Sequence, residues 1–254
     1  MQQASAFSAV ALLVAVAFCC CTGERWLRRR RPYDAAWTAA MACFAIGAAA
    51  FFGATAVGWN AALFRIFYLF GGVLTVPVLA LGTFYLLADR RLADRIALAT
   101  ALLGAFAAGV VLTAPLHAPL TPDRLNEGKV IFGVLPRVFA ATGSGVGATV
   151  VIVGALWSAV RLARTRRRAD ATGRSGLPGR RMVGANVSIA LGTLLISAKG
   201  PFVALTGSDE IGFAFALAAG LVVIFAGVLL AATPVAARSP RPLAAPVPRT
   251  PVGV

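Results

Sequence analysis

Histidine occurs once in this 254-residue chain, at His117, acidic residues nine times, and lysine only at Lys129 and Lys199. A membrane di-haem protein needs several histidines within its helices, so that class is excluded. General acid–base catalysis needs a positioned His, Asp or Glu, and no apolar run has an obvious one in its interior. Cysteine is sparse too: Cys19, Cys20, Cys21 and Cys43 all fall within apolar runs, and no Cys-x-x-Cys pair occurs. Neither a zinc site nor a disulfide framework is therefore expected, and no metal or cofactor is implied. Charged residues make up only 13% of the chain. A water-soluble domain of this length exposes far more. With 59% hydrophobic residues and a mean hydropathy of +0.83, burial in a bilayer is the economical reading.

What the sequence has instead is long apolar runs. Seven are expected to cross a membrane, over about 5–22, 35–57, 63–87, 96–114, 130–160, 182–205 and 211–232. The expected fold is an all-α polytopic transmembrane bundle filling residues 1–232, with no separate soluble domain. A tail over 233–254 carries Pro234, Pro240, Pro242, Pro246, Pro248 and Pro251, and is expected to be disordered. The first run has no basic residue before it, so it is expected to be a retained helix rather than a cleaved signal. Val16-Ala17-Phe18 ahead of Cys19 also fits a lipoprotein cleavage box poorly.

The net charge of +15 is carried almost wholly by arginine, clustered beside the ends of the runs. Five basic residues follow span one, three follow span three, eight follow span five and three lie in the tail, which is 19 of 24. That asymmetry predicts an outside N-terminus and a cytoplasmic C-terminus in the plasma membrane. Such clusters contact anionic lipid headgroups, at about 1 kcal/mol per residue, so the expected partner is the bilayer and not nucleic acid.

An ionisable group inside a span costs at least ~2.5–3.5 kcal/mol at mid-depth and is the first place to look for function. The candidates are Arg65 and Tyr68 in span three, Arg137 in span five and Lys199 in span six, with Asn60 nearby. By helix rise the three cations fall in the outer leaflet. If they converge, they form a cationic pocket suited to a carboxylate, phosphate or lipid headgroup. The alternative is snorkelling, or pairing with Asp123, Glu127, Asp209 and Glu210. Lys199 invites comparison with the retinal-bearing lysine of seven-helix photoreceptors, but span seven has no lysine and span three no carboxylate. Gly143 and Gly147 stand at Gly-x-x-x-Gly spacing and are read as a helix-packing face, one such face being a candidate surface for a homo-oligomer. Pro77 and Pro201 predict kinks that free carbonyls for a neighbour to satisfy. Phe44-Ala45-Ile46-Gly47 and Ile189-Ala190-Leu191-Gly192 hint at an internal repeat.

The hydropathy profile of the whole chain resembles that of uncharacterised seven-helix integral membrane proteins of GC-rich bacteria. The resemblance includes no specific motif and implies no activity. The expected function is non-enzymatic sensing or binding of a small anionic or lipidic molecule at the outer leaflet, with a small-solute transporter as the alternative. A cysteine placed between residues 161 and 181 should resist an impermeant thiol reagent on intact cells. Labelling from outside would reverse the orientation.

Overall fold

The computed structural model describes residues 2–122, 124–171, 178–197 and 209–232. These are all-helical; apart from one isolated bridge between Leu116 and Phe132, no strand occurs among the described residues. The elements are α1 (Gln2–Arg29), α2 (Pro32–Val57), α3 (Ala61–Leu87), α4 (Arg90–Thr113), the one-turn α5 (Gly128–Ile131), α6 (Val134–Ala171), α7 (Pro178–Ser197) and α8 (Asp209–Ala232). Five helices are long and apolar enough to cross a membrane: Ser5–Arg29, Pro32–Val57, Ala61–Leu87, Arg90–Thr113 and Val134–Ser158. Shorter apolar stretches, Val187–Ile196 and Ile211–Gly227, lie in α7 and α8. The end of the expected sixth span with Lys199 and Pro201, most of the turn after it and the proline-rich tail lie outside the described residues.

Local chemistry sets the helix ends. Arg30 closes α1 in the left-handed region (φ 51°), its N–H donating to the Trp26 carbonyl at 2.7 Å. Arg31 is extended and Pro32 opens α2 at its first turn, where a missing N–H costs nothing. The fifth expected span behaves differently from its hydropathy. The His117 N–H donates to the Ile131 carbonyl at 2.9 Å and Phe132 pairs with Leu116, so α5 stops and a new helix starts at Val134. At its far end α6 runs through Arg161–Arg168 to Ala171. Arginine is a good helix former, so polarity bounds an apolar run without ending the helix.

Helix α3 is π-helical over Phe67–Leu74. The Thr75 N–H reaches back five residues to the Phe70 carbonyl, which also accepts the Thr75 hydroxyl at 2.5 Å. Two residues later Pro77 has no N–H to give, and the Gly72 carbonyl accepts from the Ser144 hydroxyl of α6 at 2.6 Å. A neighbouring side chain thus satisfies a carbonyl beside the helix break.

Backbones meet at glycine. A Cβ on Gly47 of α2 would lie 2.9 Å from the Gly71 nitrogen of α3, and one on Gly147 of α6 would lie 2.9 Å from the Val76 carbonyl. A Cβ on Gly192 of α7 would lie 2.5 Å from the Gly220 carbonyl oxygen of α8. Gly47 and Gly192 close the two similar tetrapeptides, so each marks where its helix crosses the next one in the chain. Gly147→Leu should lower stability by about 1–3 kcal/mol, the usual cost of overpacking. Gly109→Leu, where a Cβ meets nothing within 4 Å, should be nearly neutral by thermal melting.

Candidate functional site

The segment between α4 and α5 folds back over one end of the bundle, here the loop end. Its Asn126 side chain accepts from the Thr121 N–H (2.9 Å) and donates to the carbonyls of Thr121 (3.0 Å) and Arg124 (3.1 Å), closing the loop on itself. The Trp59 N–H donates to the Pro122 carbonyl at 3.0 Å, tying the loop to the α2–α3 turn. Beneath it lies an aromatic cluster of Phe51, Trp59, Phe64 and Phe132. Trp59 is buried there and its indole N–H has no hydrogen-bond partner among the described residues.

Three of the residues singled out from sequence sit at this end with distinct tasks. Asn60 caps α3, its Oδ1 accepting from the Leu63 N–H at 3.0 Å. Arg65 spans from α3 to the C-terminus of α4 and donates to three carbonyls: Val111 at 2.6 Å, Leu112 at 2.8 Å and Ala114 at 2.7 Å. Those carbonyls are the unsatisfied, partly negative end of a helix, so a guanidinium there meets both hydrogen-bond demand and dipole. Tyr68 packs against Phe132 with ring centroids 4.8 Å apart, and its phenol has no hydrogen-bond partner among the described residues. Arg137 is exposed on the first turn of α6, without hydrogen bond or ion pair among the described residues, close enough to act electrostatically on Tyr68. Lys199 lies outside the described residues.

The hub between Arg65 and Tyr68 is Phe132, whose ring also lies 6.0 Å from the Arg65 guanidinium carbon. Sequence reasoning placed Phe132 inside a continuous span, which hid it. The buried pair of Arg25 with Asp34, at 3.1 Å across the α1–α2 turn, was missed as well. Asp34 is 1% exposed and its Oδ2 has no hydrogen-bond partner among the described residues. Its signal was a lone acid in the first turn of an apolar helix, nine residues after an arginine.

A cavity of about 640 Å³ opens between α2, α3, α6, α7 and α8. That is the size of a small-molecule site. Its lip is Asn126–Lys129 with Tyr68, and its walls run down to Met41, Leu79, Val151 and Ile224. Along α3 the wall runs from Phe67 to Leu79, about three turns of helix. The π-helical stretch contributes Phe67, Tyr68, Gly71 and Gly72 to it. Lys129 at the lip is paired with Glu127 at 2.7 Å. Among the described residues, no three His, Cys, Asp or Glu side chains are grouped to hold a metal. No protein-family model matches the chain, and no curated protein is similar to it.

Replacing Arg65 with alanine leaves three carbonyls at the end of α4 without their charged donor. Stability should fall by about 2–3 kcal/mol, the scale of charge-assisted hydrogen bonds, in thermal or denaturant unfolding. Lysine should recover only part, because an ammonium lacks the planar fork that reaches several carbonyls at once.

Proposed function

We propose that this chain is a multi-pass plasma-membrane protein of seven helices, N-terminus outside, that binds a lipidic molecule in its bundle from the outer leaflet without chemically changing it. The arginine clusters at the opposite end of the bundle then rest on anionic headgroups of the cytoplasmic leaflet. The cavity carries this reading. It is lined mostly by apolar side chains, and its lip lies at the end where the positive-inside asymmetry puts the exterior. Among the described residues that line it there is no histidine, cysteine or aspartate, and the one carboxylate, Glu127, is paired with Lys129. Groups suited to proton transfer are therefore scarce where a ligand would sit.

A binding role also fits better than the anion-binding pocket suggested by the scatter of cations. Arg65 is engaged with helix carbonyls and Lys129 with Glu127, while Arg137, which acts on Tyr68, has no ion pair among the described residues. The transporter reading draws on one observation: the π-helical stretch and Pro77 interrupt α3 at a wall of the cavity, a place where helices bend. Solute flux in reconstituted vesicles separates the two.

Gly72 supplies the direct test. It lines the cavity, and a Cβ there would meet nothing within 4 Å, so a larger side chain enters empty space. Gly72→Phe should keep the melting temperature of the parent while lowering co-purifying lipid, measured by mass spectrometry, by about tenfold or more. Equal lipid content in both proteins would remove the basis for the reading.

A further inference from the structure

Six helices of the bundle close a ring: α1 packs on α2, α2 on α3, α3 on α6, α6 on α7, α7 on α8, and α8 back on α1. Helix α4 stands outside it, against α3 and α6. Advanced by three places, the ring maps onto itself, with α1, α2 and α3 falling on α6, α7 and α8. Both triplets start at the loop end. The Ser5 hydroxyl of α1 donates to the Thr55 carbonyl near the end of α2 at 3.0 Å, and α6 starts just after Phe132, beneath the loop. A three-helix unit begins and ends at opposite ends of a bundle, so a second copy in the same orientation needs an extra crossing. Helix α4 supplies it.

Corresponding crossings are built alike. In α2–α3 and in α7–α8 glycine meets glycine, Gly47 on Gly71 and Gly192 on Gly220. At the joints between the triplets, small residues four apart face the other triplet. Gly143 and Gly147 of α6 face Val73, Val76 and Pro77 of α3, and Ala11 and Ala15 of α1 are buried with Leu217, Ala218 and Leu221 of α8. Aligning Gly47 with Gly192 and Gly71 with Gly220 also brings cavity-lining residues into register: Ala48 with Thr193, Tyr68 with Leu217, Gly72 with Leu221 and Thr75 with Ile224. Nothing in the glycine positions requires that match. An approximate two-fold axis therefore runs along the bundle through the cavity.

At the end of the cavity away from the lip, the triplets meet through apolar side chains. Phe18 of α1 and Phe225 of α8 have ring centroids 5.1 Å apart, and Met41, Leu79, Ile189 and Ile224 join the same cluster. Such contacts part and re-form without stranding a polar group. At the α3–α6 joint, α3 carries its π-helical stretch, where a helix bends readily. In membrane proteins built from paired repeats, the ligand sits between the repeats, which rock against each other to expose it to one side and then the other.

We infer that this chain is a carrier: α1–α3 and α6–α8 move as two units about the shared axis, closing the cavity to the exterior and opening it towards the cytoplasmic side. The inference adds movement to the lipid-binding reading and rests on it for orientation and for the class of cargo.

The test uses the full chain in sealed right-side-out and inside-out membrane vesicles. The probe is a charged, impermeant methanethiosulfonate, with labelled residues mapped by mass spectrometry. Gly72→Cys in the first unit and Thr193→Cys in the second each place a thiol on the cavity wall, and they are tested separately so that the loss of one variant leaves the other. Each should react from both faces, the inner face being about ten- to a hundredfold slower, as a minor conformer requires. A cysteine between residues 161 and 181 should react from one face only, which reports that the vesicles are sealed. Benzoylphenylalanine in place of Phe18, photolinked to α8, should slow the inner-face reaction by a further factor of about ten and leave the outer face within about twofold. Reaction of both cavity thiols from a single face would overturn the carrier and leave the lipid-binding reading standing. Reaction from neither face would overturn the carrier and the outward-opening cavity together. An inner-face rate unaffected by the photolink would overturn movement between the units. Access from both faces combined with unchanged lipid content in Gly72→Phe would overturn the lipid-binding reading and leave a carrier of another cargo.

Discussion

Backbone approach at glycine is the constraint on which this bundle depends. Where Gly47 meets Gly71, Gly147 meets Val76 and Gly192 meets Gly220, a single added carbon would collide with main chain. These helices are apolar over most of their surface, so what singles out the crossings is the small residue that lets main chains approach. The same crossings hold α2, α3 and α6 tightly together on one side of each helix. The α2–α3 crossing itself borders the cavity, with Gly47 and Gly71 in its lining, and α7 and α8 supply the facing wall.

The break in α3 belongs to the same economy. A π-helical turn and a proline in succession disturb the hydrogen-bond ladder of a helix at the centre of the bundle. The disturbance is contained by Thr75 within the helix and by Ser144 from outside it. Containment has a chemical consequence: hydroxyls that look available in the sequence are committed to main chain. Polar residue content therefore overstates what the cavity can offer a ligand.

Much of the architecture was legible in the sequence because apolar run length and helix length share one cause. The five long helices coincide with expected spans, and the Gly143–Gly147 spacing marks a real crossing. Pro77 was read as freeing a carbonyl, and Ser144 serves a carbonyl close by. Helix ends were less legible. The gap at Phe132–Gly133 depends on His117 and Leu116, 15 to 16 residues earlier, and no local pattern encodes that pairing. The candidate site was partly legible. Arg65, Tyr68 and Asn60 do gather at one end, but the carbonyls that engage Arg65 lie 46 to 49 residues away. Backbone acceptors carry no residue identity, so a sequence cannot advertise them.

The pair of Arg25 and Asp34 shows a different kind of dependence between neighbours. Asp34 is buried, with one oxygen on the arginine and no hydrogen-bond partner for the other among the described residues. Removing the arginine would leave a buried carboxylate uncompensated, at a cost of several kcal/mol. The turn between α1 and α2 is therefore fastened by charge, where the crossings elsewhere are fastened by the want of a side chain.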